Sequence, residues 1–469
     1  MLFAAFAAFP EKGRAFDAGY HFDLTRVVLK REGLGPDAIN SAILANWLTD
    51  YYSTAPVAKN LFLKPALNRM HFDNLGDRKQ VELYHYRFLS NLRVLIKEAA
   101  VENDRIKTLI LIGVAHHVIQ DFYSHSNWVE LFPRRPNGGF EVQLFPGSPQ
   151  GLQERLRTGV WPGGSKYSHG SYDRGLNKDS HVRPHWENAF VMAHVATRDV
   201  TRQIRYWLEE ASPGFWNHVA SLNLTARNRR ELLRDLASAH DISMWVKAKL
   251  FGLPASDGHW KGNLSGDASR FASANNAFNT WKNSFLTRHF REENIAVRLA
   301  LGLDKPAENG GVSELAVPAS GDFRGYAILV RIHQFRLPEA AGNFSLVAAK
   351  TTINGESYLG RIFSRQNIYN RAGIPAWHEI HIDAEAREMS QVEISLTAYN
   401  SGGSTDEKEL DINPEQDAET LAVSFPTKEI QSEAEDGAVV GYNSGIRKSI
   451  GNGPNSAEII YSIEFHAVD

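Results

Sequence analysis

The chain has 469 residues, and its 51 Lys and Arg against 54 Asp and Glu leave a formal charge of −3. That balance excludes a nucleic-acid binder held by bulk positive charge, and an aromatic content of 11% excludes low-complexity disorder. With no cysteine there is no disulfide, no thiolate metal site and no thiol nucleophile, so any metal falls to Asp, Glu and the 18 His residues.

The first ten residues are apolar but short, and no Lys or Arg precedes them. They do not form a conventional export signal; a buried first turn is the first reading and a membrane-touching tip the second. The expected location is the cytoplasm, or outside the cell by a signal-independent route. No run of about 20 apolar residues is present to cross a bilayer.

The first 300 residues read as helical. Val81, Tyr84, Phe88, Leu92, Leu95, Ile96 and Ala99 recur at three- and four-residue steps, one face of a helix. Leu109-Ile110-Leu111-Ile112-Gly113-Val114-Ala115 is apolar all round and predicts a central, buried helix. Further helices are predicted near 37–50, 189–211, 226–250 and 268–301. The Gly/Pro-rich stretch 133–180 has little periodicity and predicts a long loop, functional or flexible.

Residues 305–311 have linker composition. Beyond them Tyr326–Ile332, Phe344–Ala348 and Val392–Tyr399 alternate as strands do, separated by turn residues such as Asn354-Gly355. The predicted architecture is multidomain: an all-α domain over 1–304, then an antiparallel β-sandwich over 313–469.

The chemistry-bearing segment is His116-His117-Val118-Ile119-Gln120-Asp121-Phe122-Tyr123-Ser124-His125. His117, Asp121 and His125 stand at i, i+4 and i+8, so a helix lines them on one face over about 12 Å. That span is too long for one tetrahedral ion and suits two served from one helix. Imidazole and carboxylate suit zinc. A buried, hydrogen-bonded polar stripe is the structural alternative. Further ligand candidates are His181 and His185 at one-turn spacing, His71 in His71-Phe72-Asp73, Asp50 at a helix end before Tyr51-Tyr52, and His21 between Tyr20 and Phe22.

In that order, His21, Asp50, His71, His117-x3-Asp121-x3-His125 and His181-x3-His185 resemble the bacterial zinc-dependent phospholipases C of the alpha-toxin type and the related fungal single-strand-specific zinc nucleases. The phrase Asp121-Phe122-Tyr123-Ser124-His125-Ser126-Asn127-Trp128-Val129-Glu130 is similar to the heterokaryon-incompatibility C family and its bacterial relatives. The resemblance spans roughly residues 15–210 and implies a phospholipase C-like helical domain with two or three zinc ions. Asp50, His71, His117 and Asp121 would hold the first ion. His125, His181 and His185 would hold the second, and His21 with a shared Asp121 the third. The family ends its last pair with Glu or Asp where this chain has His185. It also binds its third ion through the amine of a processed N-terminal Trp, where this chain has Met1 twenty residues before His21. The open readings for the third ion are that Asp17, Asp23 or Glu11 substitutes for that amine, that the ion binds weakly, or that it is absent.

The activity so implied is hydrolysis of phospholipids, phosphatidylcholine first, to diacylglycerol and a phosphorylated head group. Asp50 is the expected catalytic base. Tyr51, with Phe72 and Trp128, is the expected substrate contact, an aromatic face being suited to a quaternary ammonium. The alternatives are a zinc nuclease or general phosphodiesterase, for which Arg134-Arg135 is the only local basic pair, and a non-catalytic, toxin-like membrane protein with structural metals. A phospholipid or membrane surface is the expected partner rather than nucleic acid. Leu329–Pro338 and Ile374–Ile380 resemble two strands of the calcium-dependent lipid-binding β-sandwich of protein kinase C and synaptotagmin, which implies a lipid-binding or regulatory C-terminal domain. The acidic loop cluster that would hold calcium is mostly missing, with Asp406, Glu407, Glu409 and Asp411 the only candidates.

Overall fold

The computed structural model describes residues 18–54, 67–132, 134, 138–146, 153–160, 167–170, 175–181, 183–225, 245–252, 323–337, 344–358, 362–364, 377–400, 407–415, 420–428, 442–453 and 455–469. Helices occupy the N-terminal half and antiparallel sheets the C-terminal part. The N-terminal run, the 226–250 helix as far as residue 244, the 268–301 helix, the linker, Asp17, Glu11, Arg135 and Asp406 lie outside the described residues.

Helices α1 (Ala18–Arg31), α2 (Pro36–Thr54), α3 (Arg78–Val101), α4 (Arg105–His125) and α5 (Trp186–Ala211) build the N-terminal part. Asp77 and Asp104 cap α3 and α4, accepting from Gln80 N and Lys107 N; each such cap is worth about 1 kcal/mol. The predicted stripe of α3 is buried except for partly covered Tyr84. Helix α4 is buried from Ile106 to His125, as its apolar circumference requires. It crosses α2 at Gly113, where a Cβ would lie 2.1 Å from the Ala42 carbonyl oxygen and 2.7 Å from Asn46 N. Only glycine allows that approach.

The C-terminal part consists of two antiparallel sheets. The first runs β10-β11-β1-β5 with β9 also on β11, and the second β3-β2-β6-β7 with β4 on β2 and β8 on β6. Here β1 is Gly325–Arg336, β2 Phe344–Ile353, β3 Glu356–Tyr358, β4 Ile362–Ser364, β5 Trp377–Asp383, β6 Met389–Asn400, β7 Glu407–Leu410, β8 Leu421–Pro426, β9 Tyr442–Asn443, β10 Arg447–Ile450 and β11 Glu458–Val468. The sheets face each other across one core, into which Val330 and Ile332 of β1 and Val392, Ile394 and Leu396 of β6 all point.

Strand β1 is buried on both faces. Ile328, Val330 and Ile332 face the other sheet, while Ala327 and Leu329 join the helical core with Ile380, Ile382 and Val468. That is why Ala327-Ile328-Leu329-Val330 is apolar without alternation. Backbone bonds tie the two parts as well, Phe140 N donating to Ala467 O and Val142 N to Asp469 O. Glu187 of α5 pairs with Arg331 of β1 at 2.8 Å and with Arg134 at 3.1 Å. Asp411 is buried and accepts from the backbone N–H groups of Asn413, Asn452 and Gly453. It anchors loops, the ordinary use of such a carboxylate.

Candidate metal centre

Helix α4 presents His117, Asp121 and His125 on successive turns toward the inside. Asp121 is the hub. Its Oδ2 lies 2.7 Å from His71 Nδ1 and 3.0 Å from His117 Nε2, and its Oδ1 lies 3.3 Å from His21 Nε2. His71 Nδ1 and His117 Nε2 are 3.2 Å apart. Asp50, at the C-terminal turn of α2, sits 3.8 Å from His117 Nε2 and 3.9 Å from His71 Nε2. The structure therefore brings His21, Asp50, His71, His117 and Asp121 together. Ligand atoms around a tetrahedral ion with 2.0–2.1 Å bonds lie about 3.3–3.4 Å apart, close to the spacing of this cluster.

Each element contributes for a local reason. On α1, His21 and Thr25 share the inward face, while Tyr20, Val27 and Arg31 lie toward the sheets. Asp23, two residues from His21, points away from the hub and pairs with Arg26 at 3.6 Å; it does not supplement His21 as a ligand. His71 ends a 3-10 turn, Arg69–His71, and Phe72 follows in the left-handed region at φ 55°. That reversal sends His71 to Asp121 and Asp73 to a second group, Asp73–His125–His169.

The imidazoles are oriented from behind. His21 Nδ1 donates to Gln120 Oε1 at 2.5 Å, and His117 Nδ1 to Asn46 Oδ1 at 3.3 Å. His125 Nδ1 donates to the His71 carbonyl at 2.9 Å, and His169 Nδ1 to the Gly170 carbonyl at 3.3 Å. A neutral imidazole that donates from Nδ1 carries its lone pair on Nε2, which aims the Nε2 of His21 and of His117 at Asp121, the usual support of a metal-bound histidine; at His125 burial lowers the imidazole, but the Asp73 and Asp179 carboxylates outweigh it and raise it well above its ordinary value. Gln120 is itself held by Asn46 Nδ2 and by the Thr25 and Thr197 hydroxyls, which joins α1, α2, α4 and α5 at one point.

Burial works against charge on Asp121, yet His117 and His125 hold its carboxyl well below the usual carboxylate range. Its Oδ1 receives no hydrogen bond among the described residues. Burial pushes the Asp73 carboxyl up to about 8, against the lowering pull of His125 and His71. Burial lowers His71 too, but the hydrogen bond and charge of Asp121 outweigh it and raise the imidazole above its ordinary value. These His/Asp groups can hold a metal ion, and imidazole-carboxylate donors suit zinc. Asp50 is the most open member, its side chain 32% exposed against 13% for His71 and almost none for His117 and Asp121.

Several predicted residues fall elsewhere. His181 is buried among Tyr20, Trp186 and His378: it donates from Nδ1 to the Tyr20 hydroxyl at 3.0 Å, while that hydroxyl donates to the His378 carbonyl. His185 is an exposed, left-handed residue ahead of α5. One-turn spacing aligns side chains only on a helix, and helix begins at Trp186. His169 and Asp73 stand beside His125 where that pair was expected. Phe72 is buried against Tyr84 and Phe122, and Trp128 against Phe122 and Phe145 with its indole N–H donating to the Gln143 carbonyl. Both side chains are fully buried in the hydrophobic core. Tyr51 lies on α2, and its side chain is outside the described residues.

Fold and centre together define a helix-plus-sheet multidomain protein with a buried His/Asp site competent for a divalent ion. A model of the VWA7 N-terminal domain family matches residues 69–143, a stretch that contains His71, Asp73, His117, Asp121 and His125. No curated protein matches the chain. A solved structure described as that of a C2 domain is similar over 30% of this chain and 97% of its own, at 11% identity and a TM-score of 0.18, a value that carries no argument.

Proposed function

We propose that the helical part is a zinc-dependent phosphodiester hydrolase of the phospholipase C kind, with phosphatidylcholine as its first substrate. The observation that carries this reading is the convergence of His21, His71 and His117 on buried Asp121, with Asp50 at the open edge. Asp50, His71, His117 and Asp121 would hold one ion, and His21 with the second oxygen of Asp121 another. Divalent ions there would withdraw charge from phosphoryl oxygens and lower the pKa of a bound water toward about 7. Asp50, 32% exposed and reachable from solvent, would be the group placed to orient that water and accept its proton. The buried Gln120–Asn46–Thr25 network keeps the imidazoles from turning as charge shifts.

The choice of lipid over nucleic acid rests on the resemblance of the Asp121–Glu130 phrase and on the engagement of Arg134. That guanidinium donates to the Gly138 carbonyl and to Glu187 and lies over Phe140, so it does not serve a phosphate backbone.

The test is turnover of phosphatidylcholine in mixed micelles beside single-stranded DNA, for wild type and His117→Ala. Release of diacylglycerol and phosphocholine, reduced at least about a hundredfold by the substitution, is the expected result. Activity on DNA alone would overturn the lipid assignment, and full turnover by His117→Ala would overturn the catalytic centre. A wild-type protein inert on both substrates, with its ions bound, would leave only a structural role for them.

A further inference from the structure

We infer that Arg31, Arg198, Arg202 and Arg205 form a binding site for a phosphoryl group, either free phosphate or a phosphate-monoester head group, where α1 and α5 meet the sheets. The inference goes beyond the phosphodiester reading and stands without it.

Arg198, Arg202 and Arg205 stand at i, i+4 and i+7 on α5 and so share one helix face. They gather around one carboxylate, that of Glu32, the residue after α1. Arg202 Nε donates to Glu32 Oε1 at 3.0 Å and Arg198 Nε to the same atom at 3.5 Å, while a guanidinium nitrogen of Arg205 is 4.0 Å from Oε2. Arg31 joins from the last turn of α1, donating to His194 at 3.4 Å and lying 3.9 Å from Asp383 of β5. The guanidinium carbon of Arg205 lies 5.7 Å from the Trp216 ring, and that of Arg198 lies 6.0 Å from the ring of Phe323, just ahead of β1.

The charges here do not balance. Among the described residues Glu32 is the only carboxylate paired with the three α5 arginines, and Asp383 is shared by Arg31, Arg387 and His381. Asp199 accepts from Gln203 at 2.8 Å, and Glu209 accepts from the backbone N–H groups of Gly214 and Trp216. Guanidinium keeps its proton in proteins, so four positive charges face two negative ones. Burial and the charge of Arg202 hold the Arg198 guanidinium below its ordinary range, and like charges one turn apart destabilise a helix. The five N–H donors of each guanidinium exceed what one two-oxygen carboxylate can accept. Glu32 is buried, yet the four arginine side chains keep 18–26% of their surface in solvent, within reach of an approaching anion.

A second carboxylate would bring two oxygens and one charge. A phosphate monoester brings three oxygens and close to two charges, which matches the surplus, and the guanidinium fork takes phosphate oxygens two at a time. The site is separate from the metal centre, since Arg31 is ten residues beyond His21 on α1, about 15 Å along the axis.

The test is calorimetric titration of the full-length wild-type protein with inorganic phosphate, at an ionic strength held constant with chloride, beside Arg202→Gln and Arg205→Gln. Saturable binding that weakens at least about tenfold in each variant is expected. No binding above the chloride control would overturn the inference. So would equal affinity in both variants, because phosphate held by ions at Asp121 senses neither substitution. Glu32→Gln separates an anion site from a purely structural ion-pair cluster. Removing the competing carboxylate should tighten phosphate at least about fivefold; unchanged or weaker affinity in a variant that still melts cooperatively contradicts the site. If Glu32→Gln fails to fold, the two arginine variants decide. Sedimentation with phosphatidylcholine vesicles, with and without phosphatidic acid, identifies the source. Capture that requires phosphatidic acid, is reversed by free phosphate and is lost in Arg202→Gln assigns a lipid head group. Phosphate bound in solution without vesicle capture assigns a soluble ligand. None of these readouts involves turnover, so an inert hydrolysis assay leaves the inference standing.

Discussion

Gly113→Ala should destabilise the protein although alanine is the better helix former. In an exposed helix the change would stabilise by about 1 kcal/mol. At the crossing of α4 with α2 the new Cβ would lie 2.1 Å from Ala42 O, 2.7 Å from Asn46 N and 2.8 Å from Ala45 Cβ. The first two are backbone atoms that no rotamer change removes. Restoring ordinary contact means parting the helices by roughly 1 Å, and overpacking of that kind costs about 1–3 kcal/mol. Because the obstacle is backbone, we take the upper end, for a net loss of about 2 kcal/mol or roughly 4–8 °C in Tm. The strain also reaches the site. Asn46 sits on the displaced turn and orients His117, one turn beyond Gly113, through the 3.3 Å bond to Nδ1. Losing such an outer partner weakens metal affinity about 10–100-fold. Calorimetric melting and competition with a zinc-binding dye read the two effects. A Tm at or above that of wild type, with affinity unchanged, would refute the backbone crossing and the orienting role of Asn46 together.

Gln120→Leu removes the acceptor of His21 Nδ1 and of Asn46 Nδ2. It should cost about 1–3 kcal/mol and loosen the His21–Asp121 ion about 10–100-fold, read by melting and by dye competition; retained affinity would mean His21 is oriented by something else. Burial works to raise the Asp383 carboxyl, but the hydrogen bond from His381 and the Arg31 guanidinium win and hold it down at about 2. A depressed carboxyl stabilises above its unfolded pKa of about 4 and loses that contribution as the pH falls toward 2. Asp383→Asn should therefore lower Tm at pH 6 and match wild type near pH 2, in melts recorded across that range. A gap that widens in acid would contradict the sign.

The ligands on α4 were legible because periodicity places them: once Leu109–Ala115 reads as buried helix, His117, Asp121 and His125 must share a face. His21, Asp50 and His71 were legible only through their order along the chain. Asp73 stood in plain view beside His71, but nothing local announces that a left-handed Phe72 turns the two side chains toward different groups. His169 and Asp179 lie in the aperiodic stretch, where no regular geometry links position to direction. The same lack of helix misdirected the His181–His185 pair. Phe72 and Trp128 illustrate a further limit. Aromatic residues beside ligands look like substrate contacts in sequence, yet burial of a large apolar side chain contributes about 1.5–3 kcal/mol, and here the core claims both. The strands of β1 and β6 were legible, whereas the docking of Ala327 and Leu329 on the helical core was not, since period alone does not say what covers the second face.

The most direct measurement is the divalent metal content of the full-length chain after gentle, chelator-free purification, by elemental analysis of wild type and Asp121→Asn. Two or three zinc-type ions per chain are expected, falling by at least one when Asp121, whose two oxygens face His21 on one side and His71 with His117 on the other, gives up its charge. A wild-type chain that folds and melts cooperatively with no divalent ion above background would contradict the account.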